Sequence, residues 1–451
     1  MVAQILAGII FVSMFVLIVI DKIPRHIITL SSALLVIVFV FLLCMRDSAA
    51  VWRSLNLGAF THLGFWYGAE EGSTGVNWAT ITFILGMMIM VEGLGLSGFF
   101  RWLCLTLAKL VHYRIVPLLV SFMIMSGVLA MFIDSITVVL FLATVTVELS
   151  QLLKFDPVPM IMTEIFCANL GGSATMCGDP PNIIVGTSFG LTFGDFLTNT
   201  GVIALICMVF TVLYFLLVFG RKMKKNEVHA SEISCPDPNS VVEHWPAFYM
   251  CLGVFLITIV LLVTHASTGL SVATIGVLSA VMTILVILIT FRGEGVKKIF
   301  KGIDYHTLLF FVGLFVTVSG LEETGVLELI ANLIEDITGG NIAMVITIIL
   351  VMSAMFSALV DNIPFAATMI PVVRSLATQG LDLHMMAWAL SLGTDLGGNA
   401  TPIGASANVV GTSVSAKSGH PITWGRYCKV AVPGTIMVVG ISLVCLLLRV
   451  I

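Results

Sequence analysis

Long apolar runs separated by short polar breaks fill this chain. Val2 to Ile20 holds no charge, and neither does Ile27 to Cys44; Gly201 to Gly220, Ala247 to Val263 and Leu270 to Thr290 follow suit. Each approaches the roughly 20 residues an α-helix needs to cross about 30 Å of hydrocarbon. The first run has no basic leader and no small-residue cleavage site, and a second run follows at once. It therefore reads as a transmembrane helix, not a signal peptide. Two further stretches are apolar but interrupted. Val116 to Phe132 meets Asp134-Ser135-Ile136-Thr137 and resumes as Val138 to Val147; Ile342 to Leu359 meets Asp361-Asn362-Ile363-Pro364 and resumes as Phe365 to Val373. Pro364 removes a backbone donor and disfavours a continuous helix. Half-helices meeting at a polar tip predict re-entrant hairpins, at 115–153 and 341–378, tolerated at membrane depth only where the tip is buried in protein or wet. Paired glycines break two more helices, at 157–190 and 383–418. The pattern predicts an all-α polytopic membrane protein with about ten transmembrane helices, two re-entrant hairpins and two broken helices.

Composition agrees. Hydrophobic residues make up 59% of the 451 and charged ones only 10%, where a soluble domain carries about 25%. The net charge of −4 matters less than its placement. Of the 21 Lys and Arg residues, all but Arg46, Arg53, Arg374 and Arg449 fall on one face under alternating topology, which marks that face as cytoplasmic. Both termini are then outside, the basic loop 221–245 is inside, and Glu70, Glu71, Glu322, Glu323, Glu328, Glu335 and Asp336 face out. No two of the nine cysteines form a Cys-x-x-Cys pair, and most lie in apolar runs, so packing explains them. No soluble domain is expected, and no nucleic-acid partner.

An internal repeat organises the chain. Gly171-Gly172-Ser173-Ala174-Thr175 through Asn182 aligns with Gly397-Gly398-Asn399-Ala400-Thr401 through Asn408; Asp134-Ser135 aligns with Asp361-Asn362; Gly93 and Gly98 align with Gly320 and Gly325. Residues near 78–220 repeat near 305–451, joined by the linker 221–245 and the spans of 246–304, after an N-terminal segment 1–77. The basic flanks give the copies opposite orientations. Inverted repeats are the architecture of many secondary transporters, whose sites lie at the repeat interface near the midplane.

The candidate site residues sit at the breaks. A carboxylate at membrane depth is a functional candidate by default; Asp134 and Asp361 qualify, although each also suits a helix N-cap. Asn169 and Asp395 occupy aligned positions two residues before the glycine pairs, at the partially negative C-terminal ends of half-helices. Gly171, Gly172 and Gly397 open the backbone there, and Thr175, Thr401, Asn182, Asn408, Asn399, Ser135, Thr137 and Asn362 add oxygens nearby. Carboxylate, amide and carbonyl oxygens suit a hard cation such as Na+, with Asp134, Ser135, Asn169, Asp361, Asn362 and Asp395 as candidate ligands. Half-helix N-termini in the same cavity would suit an anion, so cation sites, an anion site or both remain open. Close packing through small residues would explain the glycines, though not the acids. Asp395 opposite Asn169 gives one half a carboxylate able to carry a proton. Asp179, in Gly-Asp-Pro-Pro-Asn, is as readily a helix start as a ligand. Glu148 and Glu164 read as solvated near the cytoplasmic end, and Glu92 as deeper.

On these motifs, Phe132 to Thr137, Asn169 to Thr175, Gly178 to Asn182, Asp361 to Pro371 and Leu396 to Val410, the sequence resembles the ion transporter superfamily. The branch is that of arsenite permeases of the ArsB type, NhaD-type sodium/proton antiporters, the P protein and citrate-transporter-like domains. The resemblance implies a homodimer with a scaffold (1–77 and 246–304 among its parts) and a mobile transport domain. That domain would hold both hairpins and both broken helices and move as an elevator. Dicarboxylate-carrying relatives place Ser-Asn-Thr at each hairpin tip. Here the tips are Asp134-Ser135-Ile136 and Asp361-Asn362-Ile363, which disfavours citrate or succinate. P-protein relatives carry Asn where this chain has Ser135 and an uncharged residue where it has Asp395.

The expected function is secondary active transport of a small inorganic ion across the cytoplasmic (inner) membrane, coupled to H+ or Na+. Efflux in the manner of an arsenite permease or a Na+/H+ antiporter fits best. A Na+-coupled anion or carboxylate symporter and an ion channel are the alternatives. No cofactor beyond the coupling ion is expected, and a cytoplasmic ATPase subunit is a candidate partner. The chain lacks His-Glu-x-x-His and Gly-x-Gly-Asp, so an enzyme is not expected.

Overall fold

A computed structural model describes residues 1–20, 22–68, 75–224 and 237–450. Glu70, Glu71, Lys225, Cys235 and much of the linker 221–245 lie outside the described residues. We number nineteen helices: α1 Val2–Ile20, α2 Arg25–Met45, α3 Ser48–Leu55, α4 Trp78–Leu96, α5 Phe99–Leu110, α6 Ile115–Ala130, α7 Ser135–Leu153, α8 Val158–Gly172, α9 Pro180–Phe189, α10 Phe193–Met223, α11 Trp245–Thr268, α12 Val272–Gly302, α13 Tyr305–Glu323, α14 Val326–Thr338, α15 Ile342–Leu359, α16 Asn362–Thr378, α17 Leu383–Gly397, α18 Ser406–Lys417 and α19 Trp424–Leu447.

Side-chain caps set where many of these helices begin, each satisfying an orphan N–H of the first turn. Asn77 accepts from the Thr80 N–H at 3.0 Å, and Asp304 from that of Thr307 at 3.2 Å. Thr192 and Asp195 form a reciprocal capping box for α10. α12 bends at Arg292, whose φ of 59° is non-helical. Gly98 and Gly325 take left-handed conformations (φ 83° and 73°) that turn the chain from α4 into α5 and from α13 into α14.

Among the described residues, ten helices are long and apolar enough to cross a membrane. Two of them, α7 and α15, are hairpin arms, so eight such helices, rather than about ten, lie outside the hairpins. The helices divide by packing. α2 lies along α13, and α4 along α12. In the other group α6 packs on α8 and α15 on α17, with α9, α16 and α18 threaded between. Glycines allow the closest approaches: a Cβ on Gly171 would sit 2.0 Å from the Gly127 carbonyl oxygen, and one on Gly397 would sit 2.4 Å from the Ala354 Cα.

The two ends of the bundle are held by different ion pairs. At one end Asp156 accepts from Arg426 at 2.7 Å and lies 3.7 Å from Lys222, Lys109 meets Asp237 at 3.2 Å, and Arg101 pairs with Glu148. At the other, Arg53 meets Glu323 at 2.8 Å, and Arg374 lies 3.7 Å from Glu322 and donates to the Ser188 carbonyl at 3.2 Å. The Arg53 guanidinium also holds the Asp47 carboxyl below the usual carboxylate range. Loops expected to share a face therefore meet each other.

Candidate functional site

The breaks converge. α6 and α7 form one helical hairpin and α15 and α16 another, within a residue or two of the expected bounds; α8 and α9 flank a loop at 173–179, as α17 and α18 flank one at 398–405. The loops match in detail. Asp179 and Ala405, at aligned positions, share a backbone conformation (φ −145°, ψ 146° and φ −144°, ψ 148°). Asn182 donates to the Gly172 and Thr175 carbonyls at 3.0 and 3.2 Å; Asn408 donates to Gly398 and Thr401, both at 2.7 Å. Thr175 donates to the Met131 carbonyl, and Thr401 to that of Ala358 at 2.5 Å. These Asn and Thr donors thus clasp each loop and tie it to its hairpin arm. The loop carbonyls they reach already have donors.

Asp179 joins the two tips. Its carboxylate accepts from the Ser135 hydroxyl at 2.9 Å and from the Asn362 amide at 2.8 Å, with 4% of the residue exposed. Asp395 faces Asp179 and Asn182 and is fully buried. Neither of its oxygens has a donor in hydrogen-bonding geometry among the described residues; the nearby Asn182 amide donates instead to the Gly172 and Thr175 carbonyls. Ser391, one turn earlier on α17, donates to the Asn182 side-chain oxygen. At the aligned position Asn169 donates to Asn399 at 2.9 Å and to Asn408 at 2.8 Å, and its own side-chain oxygen also lacks a donor. Aligned positions 169 and 395 thus both present bare oxygens at the C-terminal ends of half-helices, where the helix dipole is negative.

The tip acids differ from each other. Asp134 caps α7, accepting from the Thr137 N–H at 2.9 Å and its hydroxyl at 2.8 Å, and lines a cavity of about 620 Å³. Half-buried Glu92 lies against Gly302 and within electrostatic reach of Asp134. Asp361 caps α16 through the Ile363 N–H at 3.4 Å, accepts from Ser406 at 2.8 Å, and pairs with Arg25. Arg25 and Asp361 also line the cavity, as do His26 and His306, whose rings stack at 4.3 Å. Pattern reading missed Arg25, His26, His306 and Ser406; Arg25 entered only as an orienting charge. Among the described residues no three His, Cys, Asp or Glu side chains converge as a transition-metal site would require.

One expectation fails. Glu164 is not solvated: it is fully buried, with Thr146 donating to one carboxyl oxygen and no donor on the other. The hairpin arms α6 and α7 cover α8 at that point, which its closeness to the polar stretch near Asp156 conceals. Glu148 is partly exposed and paired with Arg101.

A family profile described as citrate transporter matches residues 15–393. An uncharacterized transporter of Mycobacterium bovis is 31% identical over 449 residues, covering 99% of this chain and 98% of its own. The human P protein is 26% identical over 489 residues, covering 90% of this chain and 58% of its own length. Among solved structures, MtrF of Neisseria gonorrhoeae superposes with a TM-score of 0.59 at 13% identity, covering 97% of this chain and 94% of its own. The YdaH transporter of Alcanivorax borkumensis gives 0.58 at 13%, covering 90% and 89%. At that identity the likeness is one of fold.

Proposed function

We infer that this chain, which belongs to the citrate transporter family, is a cation-coupled secondary transporter whose cargo is a small inorganic ion. Membership makes it a multi-pass membrane transporter and not an enzyme. The finer reading is carried by one observation: Asp395 is fully buried beside Asp179, with no donor in hydrogen-bonding geometry on either oxygen among the described residues. Removing a charged carboxylate from water without a partner is among the most expensive arrangements in a protein. A proton or a small cation supplies the partner, and exchange between the two is the chemistry of coupling.

Inverted repeats, re-entrant hairpins and an elevator movement give this site its transport role. Residues 115–190 and 341–418 would travel together against α1, α2, α4 and α11 to α13. The cavity reaches from the starts of α2 and α13 to the hairpin tips. Those helices start at the basic, cytoplasmic end, so the arrangement is inward-facing. A homodimer in the inner membrane with both termini outside fits this reading. Asp134 and Asp361 beside the buried acid pair argue against a polycarboxylate cargo, whatever the family's name. A second reading, cation-coupled anion symport, is favoured by Arg25, His26 and His306 on the same cavity wall.

Proteoliposomes containing a pH dye test the choice, with Na+, Li+, K+, arsenite and citrate added in turn. Proton movement driven by Na+ or Li+ alone, and lost in Asp395→Asn, supports the cation reading. Proton movement only with an anion present overturns it in favour of symport. A current that outruns carrier turnover would mark a channel.

A further inference from the structure

The Arg25–Asp361 pair joins the two packing groups. Arg25 is the first residue of α2, and α2 packs along α13 and α1. Asp361 is the hairpin tip ahead of α16. One carboxylate oxygen of Asp361 takes the Arg25 guanidinium and the Ser406 hydroxyl together, while the other faces the Ile363 N–H. Its side chain is 3% exposed and that of Arg25 25%. Three helix N-termini, those of α2, α16 and α18, meet at this acid. Arg25 supplies the full positive charge.

Any movement of the hairpin relative to α2 separates this pair. Breaking a buried pair by withdrawing one partner leaves an uncompensated charge. The separation is therefore disfavoured unless something cationic replaces the guanidinium. We propose that Arg25 is a tethered stand-in for the transported or coupling cation. It occupies the hairpin-2 carboxylate in the cation-free inward state and yields it to a monovalent cation before the hairpin moves. Arg25 is a positioning residue in this scheme: it holds the unloaded carrier and competes with the ion. The inference rests on the cation-coupled reading above and deepens it by naming the competitor.

The competition has a sign that a purely structural role lacks. Binding of radiolabelled Na+ to the purified full chain, measured for wild type, Arg25→Gln, Arg25→Lys and Asp361→Asn, reads it without transport. Removing the competitor lowers half-saturating Na+ at least tenfold in Arg25→Gln. Arg25→Lys, which keeps the charge, returns toward wild type, and Asp361→Asn loses the effect of the Arg25 substitution. Unchanged or weaker Na+ binding in Arg25→Gln overturns the proposal, as does a tenfold gain that persists when Asp361→Asn is added. Proton flux in liposomes separates the two levels. A wild type that moves protons yet binds no Na+ in any variant overturns the stand-in role and leaves the transporter reading. A tenfold shift in a wild type inert to every cation overturns the transport reading alone.

Discussion

Asp179 offers the sharpest separation of structure from chemistry. It holds Ser135 of one tip and Asn362 of the other at 2.9 and 2.8 Å. Hydrogen bonds to a charged group contribute about 1.5–3 kcal/mol each, so Asp179→Ala removes about 3–6 kcal/mol of linkage between the tips. That approaches the whole stability of a marginal protein, about 5–15 kcal/mol. Asp179→Asn behaves differently. Its amide oxygen still accepts from Asn362, and its NH2 donates to the Ser135 hydroxyl, which accepts as readily as it donates. Both contacts survive while the charge is lost. Deleting one partner of a buried charge pair costs about 3–5 kcal/mol, a hundredfold or more in cation affinity. We expect Asp179→Ala to melt well below wild type in a fluorescence-detected thermal shift. Asp179→Asn melts near wild type but carries cation-driven flux reduced at least a hundredfold at sub-saturating cation. Wild-type flux in Asp179→Asn would refute a coupling role and leave Asp179 a strut. Wild-type melting in Asp179→Ala would refute the strut.

Three further outcomes follow from named contacts. Gly171→Ala places a Cβ 2.0 Å from the Gly127 carbonyl oxygen, and overpacking of this kind costs about 1–3 kcal/mol or more; a lowered melting temperature checks it. Glu164→Gln keeps the acceptor that Thr146 uses and should fold within about 1 kcal/mol of wild type. It should also transport normally, and a folded but inactive Glu164→Gln would bring that acid into the coupling machinery. Asn169→Asp combined with Asp395→Asn transplants the carboxylate to the aligned position. There it faces the side-chain oxygens of Asn399 and Asn408, which now accept from Asn169. The loss of two buried donors, at about 1–3 kcal/mol each, should leave the double variant unstable and inactive by the same two assays.

The hairpins and broken helices were legible because their signals are local: an Asp interrupting apolar sequence, a glycine pair followed by Ala-Thr, a proline after a tip. Their bounds at 115–153 and 383–418 match α6 to α7 and α17 to α18 closely. What joins them was not legible. Arg25 and Asp361 lie 336 residues apart, Asn182 and Ser391 lie 209 apart, and His26 meets His306. No periodicity encodes such pairings, because docking of whole helices decides them. Asp179 was ambiguous for the same reason: its own turn makes it a helix start, and only the arrival of the second tip makes it a bridge. The neighbours of Glu164 in sequence point to solvation, whereas its burial is set by α6 and α7 lying across α8.

The repeat itself explains why, among the described residues, the two broken-helix loops bring together one carboxylate pair. Each half supplies a loop start, Asp179 or Ala405, and a half-helix end, Asn169 or Asp395. Packing crosses the halves, so Asp179 faces Asp395 while Asn169 meets Asn399 and Asn408. Had both halves kept Asp at both positions, four acids would share one buried region and repel one another. Had both kept the neutral pair, no group there would carry a charge. The chain instead retains one acid from each half and concentrates them at a single node, leaving the aligned node an amide network with all but one oxygen satisfied. Two nodes of the same backbone geometry, one acidic and one neutral, can discriminate between ligands of different charge.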